Sequence, residues 1–342
     1  MKHLKFPSLL YKVCRMGTCC LALTLVTACS DWFDVSPKTD LKAEELFSTE
    51  AGFESSLTGI YLMMTDQGAY GGNMSFGMLD QLAQQYDYIP DGANDRMAIY
   101  NYATATTDGF RTKQKLAQSW LKLYNIIANC NNFLKWLDNK GEAVIRNVNT
   151  RNAYRAEVLA VRAYCQFDLL RAWGPWKYGT DATAAAANCI PYRKVADNSK
   201  QPLLPAKEIV ALALKDLNEA KQLLVNEKKL RLDDSERRFR FNYHAVNALM
   251  ARIYCYAGDA TNAVACAKEV IDNCGLTLAS SNQDDPVLFS ECLCALNLYH
   301  LSQSLSSHWA DGDKYTSQYF IRSERFNSYF EVSGDRREDM RT

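Results

Sequence analysis

The chain has 342 residues, of which 48% are hydrophobic and 23% are charged. This composition is sufficient for a large folded core, and it excludes a mainly disordered chain. Basic and acidic residues balance at 39 each, and no long basic run occurs, so the charge pattern argues against a nucleic-acid-binding protein.

The N-terminus has the features of a secretory leader. Four basic residues precede an apolar stretch at 16–27, which is about half of the roughly 20 residues that a membrane-spanning helix needs. Residues 26–29 resemble a bacterial lipobox, in which Cys29 would become the lipidated first residue of the mature chain. We therefore expect a signal peptide at 1–28 and a lipidated tether at 29–45, with acyl chains holding the protein to a membrane. Ordinary cleavage, with Cys29 incidental, is the alternative.

Removal of this leader changes the net charge. It takes away four of the 39 basic residues and none of the 39 acidic residues, which leaves the mature chain with a net charge of −4. A mildly acidic mature chain gives no electrostatic reason to expect a nucleic-acid partner.

A first helix is predicted to begin near residue 46, with Ser48 or Thr49 as its cap. Its apolar stripe consists of Phe53, Leu57, Ile60, Tyr61 and Met64. Glycines and tyrosines then recur over 66–112 and predict a long loop-rich insert. Because such inserts on a helical scaffold are often functional, four of its aromatic residues are candidates for ligand binding, although each has an equal chance of only packing the loops. They are Tyr86, Tyr88, Tyr100 and Tyr102.

Helical periodicity returns at 120–137 and is strongest at 154–174. The second of these helices has apolar residues on all sides, which predicts a helix surrounded by others. Its four charges are Glu157, Arg162, Asp168 and Arg171. Because buried charges need partners, we expect internal pairs or caps, and Asp168 and Arg171 are spaced to pair with each other. A second insert is predicted at 175–203, followed by a helix in whose first turn Pro205 fits.

Residues 243–273 match a tetratricopeptide unit. Ala251, Tyr254, Gly258, Ala263 and Ala267 fall at the motif's spacing. Asn247 replaces the preferred Trp. The prediction is a mostly α protein, in which a tetratricopeptide-like stack of helical hairpins forms a helical domain at 46–274 with inserts at 66–112 and 175–203. The segment 275–342 is predicted to be loop-rich, and it supplies three further candidate ligand-binding aromatics, Trp309, Tyr315 and Tyr319.

Several motifs in this order resemble the SusD/RagB family, the cell-surface nutrient-binding lipoproteins of Bacteroidetes. The long helix carries the main resemblance, with Glu157, 162–164, 168–171 and Gly174. Further matches are 59–61, Tyr124, Ile127, Asn129, 190–191, Asp216, Leu217 and 223–224. The Asp-x-Arg segment at 335–337 lies well inside typical family members, so the resemblance implies a C-terminally shortened member.

No catalytic or metal-binding motif is evident in the sequence. It has no nucleophile elbow, phosphate loop, dinucleotide fingerprint or zinc-binding His-Glu-x-x-His. His300 and His308 are eight residues apart in a predicted loop, a spacing more typical of surface residues than of metal ligands. Cys292 and Cys294 form a lone Cys-x-Cys without a second pair. We therefore expect no metal and no cofactor. Adjacent carboxylates such as Asp284 and Asp285 are typical of turns, not of a glycosidase.

The cysteines favour free thiols over disulfides. Cys165, Cys255 and Cys266 occupy positions where a helical core accepts a small apolar residue. In an exported chain some thiols could oxidise, and Cys255 with Cys266 is the pair to test.

The resemblance implies a non-enzymatic, outward-facing lipoprotein of the outer membrane. Such a protein would bind oligosaccharides and deliver them to a TonB-dependent outer-membrane transporter, with no nucleic acid involved. Aromatic faces would stack on sugar rings, and polar side chains would bond to the hydroxyls. A peptide-binding RagB-like uptake protein and a repeat scaffold that binds only protein partners are the alternatives. A glycosidase is a third possibility, for which no sequence feature argues.

Overall fold

The computed structural model describes residues 43–86, 100, 107–232, 236–278, 288–299 and 301, with no side-chain description at 107–111. The helices are α1 Ala43–Leu46, α2 Glu50–Met64, α3 Met78–Leu82, α4 Thr107–Val144, α5 Val148–Trp173, α6 Ala182–Ala186, α7 Ala206–Leu223, α8 Tyr243–Tyr256 and α9 Ala260–Asn273. Within these ranges the β-structure is a two-stranded antiparallel pair, β1 Asn188–Ile190 and β2 Leu204–Pro205. The predicted mostly α fold is confirmed.

Helix α5 is central, as predicted. It packs against α4 and α7, and it also contacts α2, α8 and β1. Its side chains are almost continuously buried from Ala156 to Leu170. Asn147 caps it by accepting hydrogen bonds from the backbone N–H groups of Asn149 and Thr150, so the helix begins six residues before the predicted start. It ends before Gly174, where the prediction placed its end.

The helices pack in succession, as a stack of helical hairpins requires. Helix α4 packs on α5, α5 on α7, α7 on α8, and α8 on α9. The α8–α9 turn uses Gly258 in the left-handed region at φ 75°, which a residue with a Cβ adopts only at a cost. Asp259 then caps α9 by accepting from the Asn262 N–H at 3.0 Å. The predicted tetratricopeptide-like hairpin is therefore present.

The N-terminal part of the described stack has an aromatic core. Thr49, one of the two predicted caps, accepts from the Gly52 N–H at 3.1 Å at the start of α2. Phe47, Phe53 and Phe133 are fully buried and meet edge to face. The predicted α2 stripe is buried along its whole length, so burial of this face fixes α2 against α4.

Element boundaries in the two inserts differ from the prediction in detail. Helix α4 begins at Thr107, inside the segment predicted as the first insert. Gly109 therefore lies in the first turn of a long helix that packs on α2 and α5, and not in a loop. The second insert contains α6 and β1. None of the helices in the described part of the chain is both long and apolar enough to span a membrane.

The cysteine predictions are partly wrong. All eight cysteines after Cys29 are described, and their thiols are free. Cys165 and Cys266 are buried as predicted, but Cys255 is exposed. It follows the buried Ile253 by two residues, about 200° around the helix, and therefore points away from the face that packs in the stack.

Candidate functional site

Glu157 belongs to a closed cluster inside the stack. Its carboxylate is 1% exposed, and it accepts from Arg237 Nη1 at 2.5 Å and from the Tyr61 hydroxyl at 3.1 Å. The Tyr61 oxygen in turn accepts from the Phe241 N–H at 2.9 Å. Burial raises the pKa of Glu157, while Arg237 acts in the opposite direction. This cluster joins α2, α5 and the segment before α8, and it has a structural role.

Arg162 forms a second closed cluster. It donates from Nε and Nη2 to the two carboxylate oxygens of Asp216, both at 2.8 Å. Nη1 donates to Asn131 Oδ1 at 2.8 Å, and the Tyr192 hydroxyl donates to Asp216 at 2.7 Å. Arg162 and Asp216 are both buried. Because this pair is bidentate and further hydrogen-bonded, it holds α5, α7 and α4 in register and is not open to a ligand.

Asp168 forms a third cluster, and this one reaches the surface. Its carboxylate is 1% exposed. Arg171 Nε donates to it at 2.9 Å, which confirms the predicted pair, and Arg252 Nη2 lies 3.8 Å away. The Arg252 guanidinium also lies over the rings of Tyr164 and Phe167, 5.9 Å from each centroid. The side chain of Arg171 is 32% exposed, so this cluster has donors that face solvent.

The open cluster forms one wall of a surface cavity of about 550 Å³. Helix α3 and the turns before it form the opposite wall. The lining residues are Met74, Ser75, Phe76, Leu79, Asp80, Ala83, Asp168, Arg171 and Ala172. The wall therefore combines apolar and aromatic surface with two carboxylates, a hydroxyl and a guanidinium. This combination is suited to a ligand that has both apolar faces and many hydroxyl groups.

Two of the predicted ligand-binding residues lie beside this cavity. Tyr86 donates its hydroxyl to the Phe76 carbonyl at 2.8 Å and approaches Asp80 Oδ2 at 3.4 Å. Tyr100, which is 52% exposed, donates to the Leu82 carbonyl at 2.8 Å. Tyr86 thus contacts both α3 and the turn before it, and Tyr100 contacts the last residue of α3. Cys29, Tyr88, Tyr102, Trp309, Tyr315 and Tyr319 lie outside the described residues.

Sequence reasoning missed the α3 side of this cavity. Phe76 lies in the turn before α3 and Asp80 lies on α3, and neither belongs to a recognisable motif. Burial raises the pKa of the Asp80 carboxyl, and the hydrogen bond from Tyr86 opposes this shift. The one available signal was the Asp168–Arg171 spacing, which we interpreted as purely internal. The structure places this pair at the boundary between core and cavity.

A second aromatic feature follows α5 directly. The Trp176 side chain is 84% exposed, on the loop 174–180. Tyr256 anchors this loop, because its hydroxyl donates to the Pro175 carbonyl at 3.1 Å and its ring stacks on Tyr178 at 5.1 Å. A Cβ at Gly179 would lie 2.8 Å from the Tyr256 carbonyl oxygen, so the loop meets the α8–α9 turn closely. The loop is held while its indole faces solvent.

Another cavity, of about 270 Å³, has a different character. It is lined mostly by apolar side chains of α8 and of the segment 293–296, with Arg252 and Tyr164 at its edge. Burial raises the pKa of its Cys294 thiol to about 12, so this thiol is not a nucleophile at neutral pH. Because it offers few polar groups for hydroxyl recognition, we regard it as the weaker candidate. No group of three His, Cys, Asp or Glu side chains within the described ranges could hold a metal ion.

The family comparison agrees with this picture of the chain. A family model described as SusD-like, starch-binding and associating with the outer membrane matches residues 31–255. The chain belongs to this SusD-like family. The match covers α1 to α8, and therefore all the elements that line the 550 Å³ cavity. None of the curated proteins compared with the sequence is significantly similar to it.

Solved structures show the same SusD-like fold. A SusD superfamily protein from Bacteroides thetaiotaomicron matches with a TM-score of 0.57 and 21% identity, over 70% of this chain and 50% of that one. A SusD superfamily protein from Bacteroides fragilis gives a TM-score of 0.54 and 21% identity, over 68% of this chain and 51% of that one. A SusD-like carbohydrate-binding protein from Bacteroides vulgatus gives a TM-score of 0.50 and 18% identity, over 66% of this chain and 45% of that one. This SusD-like chain spans about half the length of these structures.

Proposed function

We propose that this SusD-like protein is a non-enzymatic binder of oligosaccharides, with its binding site in the 550 Å³ cavity. The observation that carries the proposal is the composition of the cavity wall, in a family described as starch-binding. A sugar ring has an apolar face and a hydroxyl-bearing rim. Phe76 and Leu79 offer surface to the face, while Asp80 and Arg171 offer an acceptor and donors to the rim.

The cavity is assigned to binding and not to hydrolysis. Its second carboxylate, Asp168, is almost fully buried and already accepts from Arg171. A glycosidase needs two carboxyl groups that reach the bond between two sugars from opposite sides. Asp168 is instead a positioning residue, which holds Arg171 toward the cavity.

Residues outside the described structure supply the rest of the proposal. With cleavage at 1–28 and lipidation of Cys29, the protein would be anchored in the outer membrane through the tether 29–45 and would face outward. From there it would deliver the oligosaccharide to a TonB-dependent transporter. The candidate aromatics Tyr88, Tyr102, Trp309, Tyr315 and Tyr319 would extend the contact surface.

Glycan binding can be tested on the purified chain with a glycan array, followed by calorimetry of each positive. Ala83, an exposed residue of the cavity wall, allows the site to be blocked without a core change. We expect Ala83→Trp to fill the cavity and to weaken binding at least tenfold. The matched control is Ala265→Trp, at an exposed position of α9, which should bind as the wild type does.

Three experiments separate the alternatives. Binding of a peptide library, with no glycan bound, would establish the RagB-like peptide-uptake function instead. Equal weakening by Ala83→Trp and Ala265→Trp would show that the glycan binds elsewhere. Co-purification from detergent tests the partner: recovery of a large barrel transporter supports uptake, whereas recovery of only soluble proteins supports a repeat scaffold.

A further inference from the structure

The charges of the 550 Å³ cavity are unequal, and this inequality bears on the kind of sugar that fits. Three of its described lining residues are charged: Asp80, Asp168 and Arg171. Arg171 is already paired with Asp168 at 2.9 Å. Asp168 also has Arg252 Nη2 at 3.8 Å, from a residue outside the cavity lining. Among the described lining residues, Asp168 and Arg171 therefore each have an ionic partner, and the carboxylate of Asp80 has none.

Among the described residues, none supplies a cation that compensates the charge of Asp80. Its carboxylate is half-buried, and the Tyr86 hydroxyl lies 3.4 Å away. Within the described ranges no lysine or arginine forms an ion pair with it, and its pKa is raised by burial, not lowered by a cation. A carboxylate held in this way accepts hydrogen bonds from hydroxyl or ammonium groups, and it repels another carboxylate.

We infer that the cavity selects neutral or amine-bearing oligosaccharides over acidic ones, and that Asp80 is the residue that determines this choice. The inference rests on the proposed glycan-binding function. A uronic acid in the cavity would place its carboxylate near that of Asp80. Among the described lining residues, the guanidinium that could offset this repulsion is that of Arg171, which already donates to Asp168 through Nε. A neutral sugar donates a hydroxyl to Asp80, and an amino sugar adds an ionic attraction.

The test compares neutral and charged hexasaccharides that share the same backbone. Hexasaccharides of α-1,4-glucose, β-1,4-glucose, β-1,4-mannose and α-1,4-galactose are each presented as the neutral form, the 6-carboxylate and the 2-amino-2-deoxy form. For any backbone that binds, we expect the 6-carboxylate to bind at least tenfold more weakly than the neutral form, which corresponds to about 1.4 kcal/mol. Asp80→Asn should reduce the ratio between the two affinities to less than threefold; this ratio is the readout, because Asp80 also accepts from the neutral sugar and its loss can weaken both forms.

Two further variants control for indirect effects. Tyr86→Phe removes the hydroxyl near Asp80 but keeps the carboxylate, so it should retain the discrimination. Asp272→Asn removes an exposed carboxylate of α9 that pairs with Lys268, and it should change nothing. Thermal melting of all variants confirms that each is folded.

The outcomes are distinguishable. If the wild type binds the 6-carboxylates as tightly as the neutral forms, the selectivity is absent. Only the further inference is then lost. Discrimination that persists unchanged in a folded Asp80→Asn variant removes Asp80 from its assigned role. If no member of the panel or of the array binds, the glycan-binding function itself is wrong, and the inference is lost with it.

Discussion

Two arginines of helix α5 pair with aspartates, and the two pairs differ in how many of their polar atoms have hydrogen-bond partners. Arg162, in the middle of the helix, meets Asp216 with two hydrogen bonds of 2.8 Å, and further bonds from Arg162 to Asn131 and from Tyr192 to Asp216 complete the cluster. Arg171, near the end, donates to Asp168 through Nε and has a side chain that is 32% exposed.

The difference shows how one helix can serve two purposes. A buried ion pair is useful only when every polar group has a partner, because an unpaired buried charge is costly. The closed pair therefore specifies the register of α5 with α7. In the open pair Asp168 is buried, whereas Arg171 reaches the cavity. The unused N–H donors of Arg171 are therefore available to a ligand at little cost in stability.

The largest expected effect comes from breaking the closed pair. Arg162→Met leaves Asp216 charged and buried without its cation, so the free energy of unfolding should fall by about 3–5 kcal/mol. Denaturant titration measures this change. The comparison variant is Lys268→Met, which breaks a pair between exposed residues on α9 and should cost less than about 1 kcal/mol. Equal losses in the two variants would contradict a structural role for the closed pair.

Breaking the open pair should affect binding more than stability. Arg171→Gln removes the guanidinium from the cavity wall, so we expect glycan affinity to fall about tenfold, or about 1.4 kcal/mol. Because Arg252 Nη2 remains 3.8 Å from the buried Asp168, the free energy of unfolding should fall by less than it does in Arg162→Met. Calorimetry and denaturant titration give the two numbers.

A variant on the same helix provides the control. Arg151→Gln replaces an arginine about 30 Å away along α5, where its side chain bonds the Ile145 carbonyl. Its glycan affinity should equal that of the wild type. The comparison between open and closed pairs fails if Arg171→Gln unfolds the protein as Arg162→Met does.

His244 shows a third situation, a buried polar group with an incomplete set of partners. The side chain is fully buried, and Nε2 lies 3.2 Å from the Leu230 carbonyl. Among the described residues, Nδ1 has no hydrogen-bond partner. Burial lowers the pKa of His244 below its ordinary value of 6.5. Below about pH 6.5 the unfolded chain therefore takes up a proton that the folded chain does not.

Stability should consequently fall as the pH drops below 6.5, until the pH reaches the lowered pKa of the folded state. The slope from this single group is at most about 1.4 kcal/mol per pH unit. Denaturant titrations between pH 7.5 and 5, values chosen to span about 6.5, measure it, and His244→Gln should flatten the profile. An identical slope in the folded variant would assign the pH dependence to other groups.

The smallest expected effect concerns Trp176, which is exposed and not buried in either kind of cluster. If the anchored loop extends the site, Trp176→Ala should weaken binding of a hexasaccharide by about 3–10-fold and of a disaccharide by less, because one stacking contact is worth about 0.5–1.5 kcal/mol. Stability should stay unchanged. Leu278→Ala, at another highly exposed apolar residue, is the control. A loss that is equal for both sugar lengths would place Trp176 at the first sugar and not at an extension.

Local patterns in the sequence were sufficient for much of the helical scaffold. The apolar residues of α5, its end at Gly174, the Thr49 cap of α2 and the small residues of the α8–α9 hairpin all act over a few residues. Such signals depend on helical geometry and capping chemistry, which are the same in any fold. The family motifs lie on these same elements, so the fold could be predicted together with them.

The tertiary structure alone decided which charges are closed and which are open. Arg162 meets an aspartate 54 residues away, and Glu157 meets an arginine 80 residues away. Asp80 comes to the same cavity as Asp168 only because α3 and the end of α5 line it together. Helix packing sets these long-range meetings, and no local spacing encodes them. The sequence by itself determined that α5 carries four charges and is buried. The packing around α5 determined that three of these charges, on Glu157, Arg162 and Asp168, are buried and that the fourth, on Arg171, reaches a surface cavity.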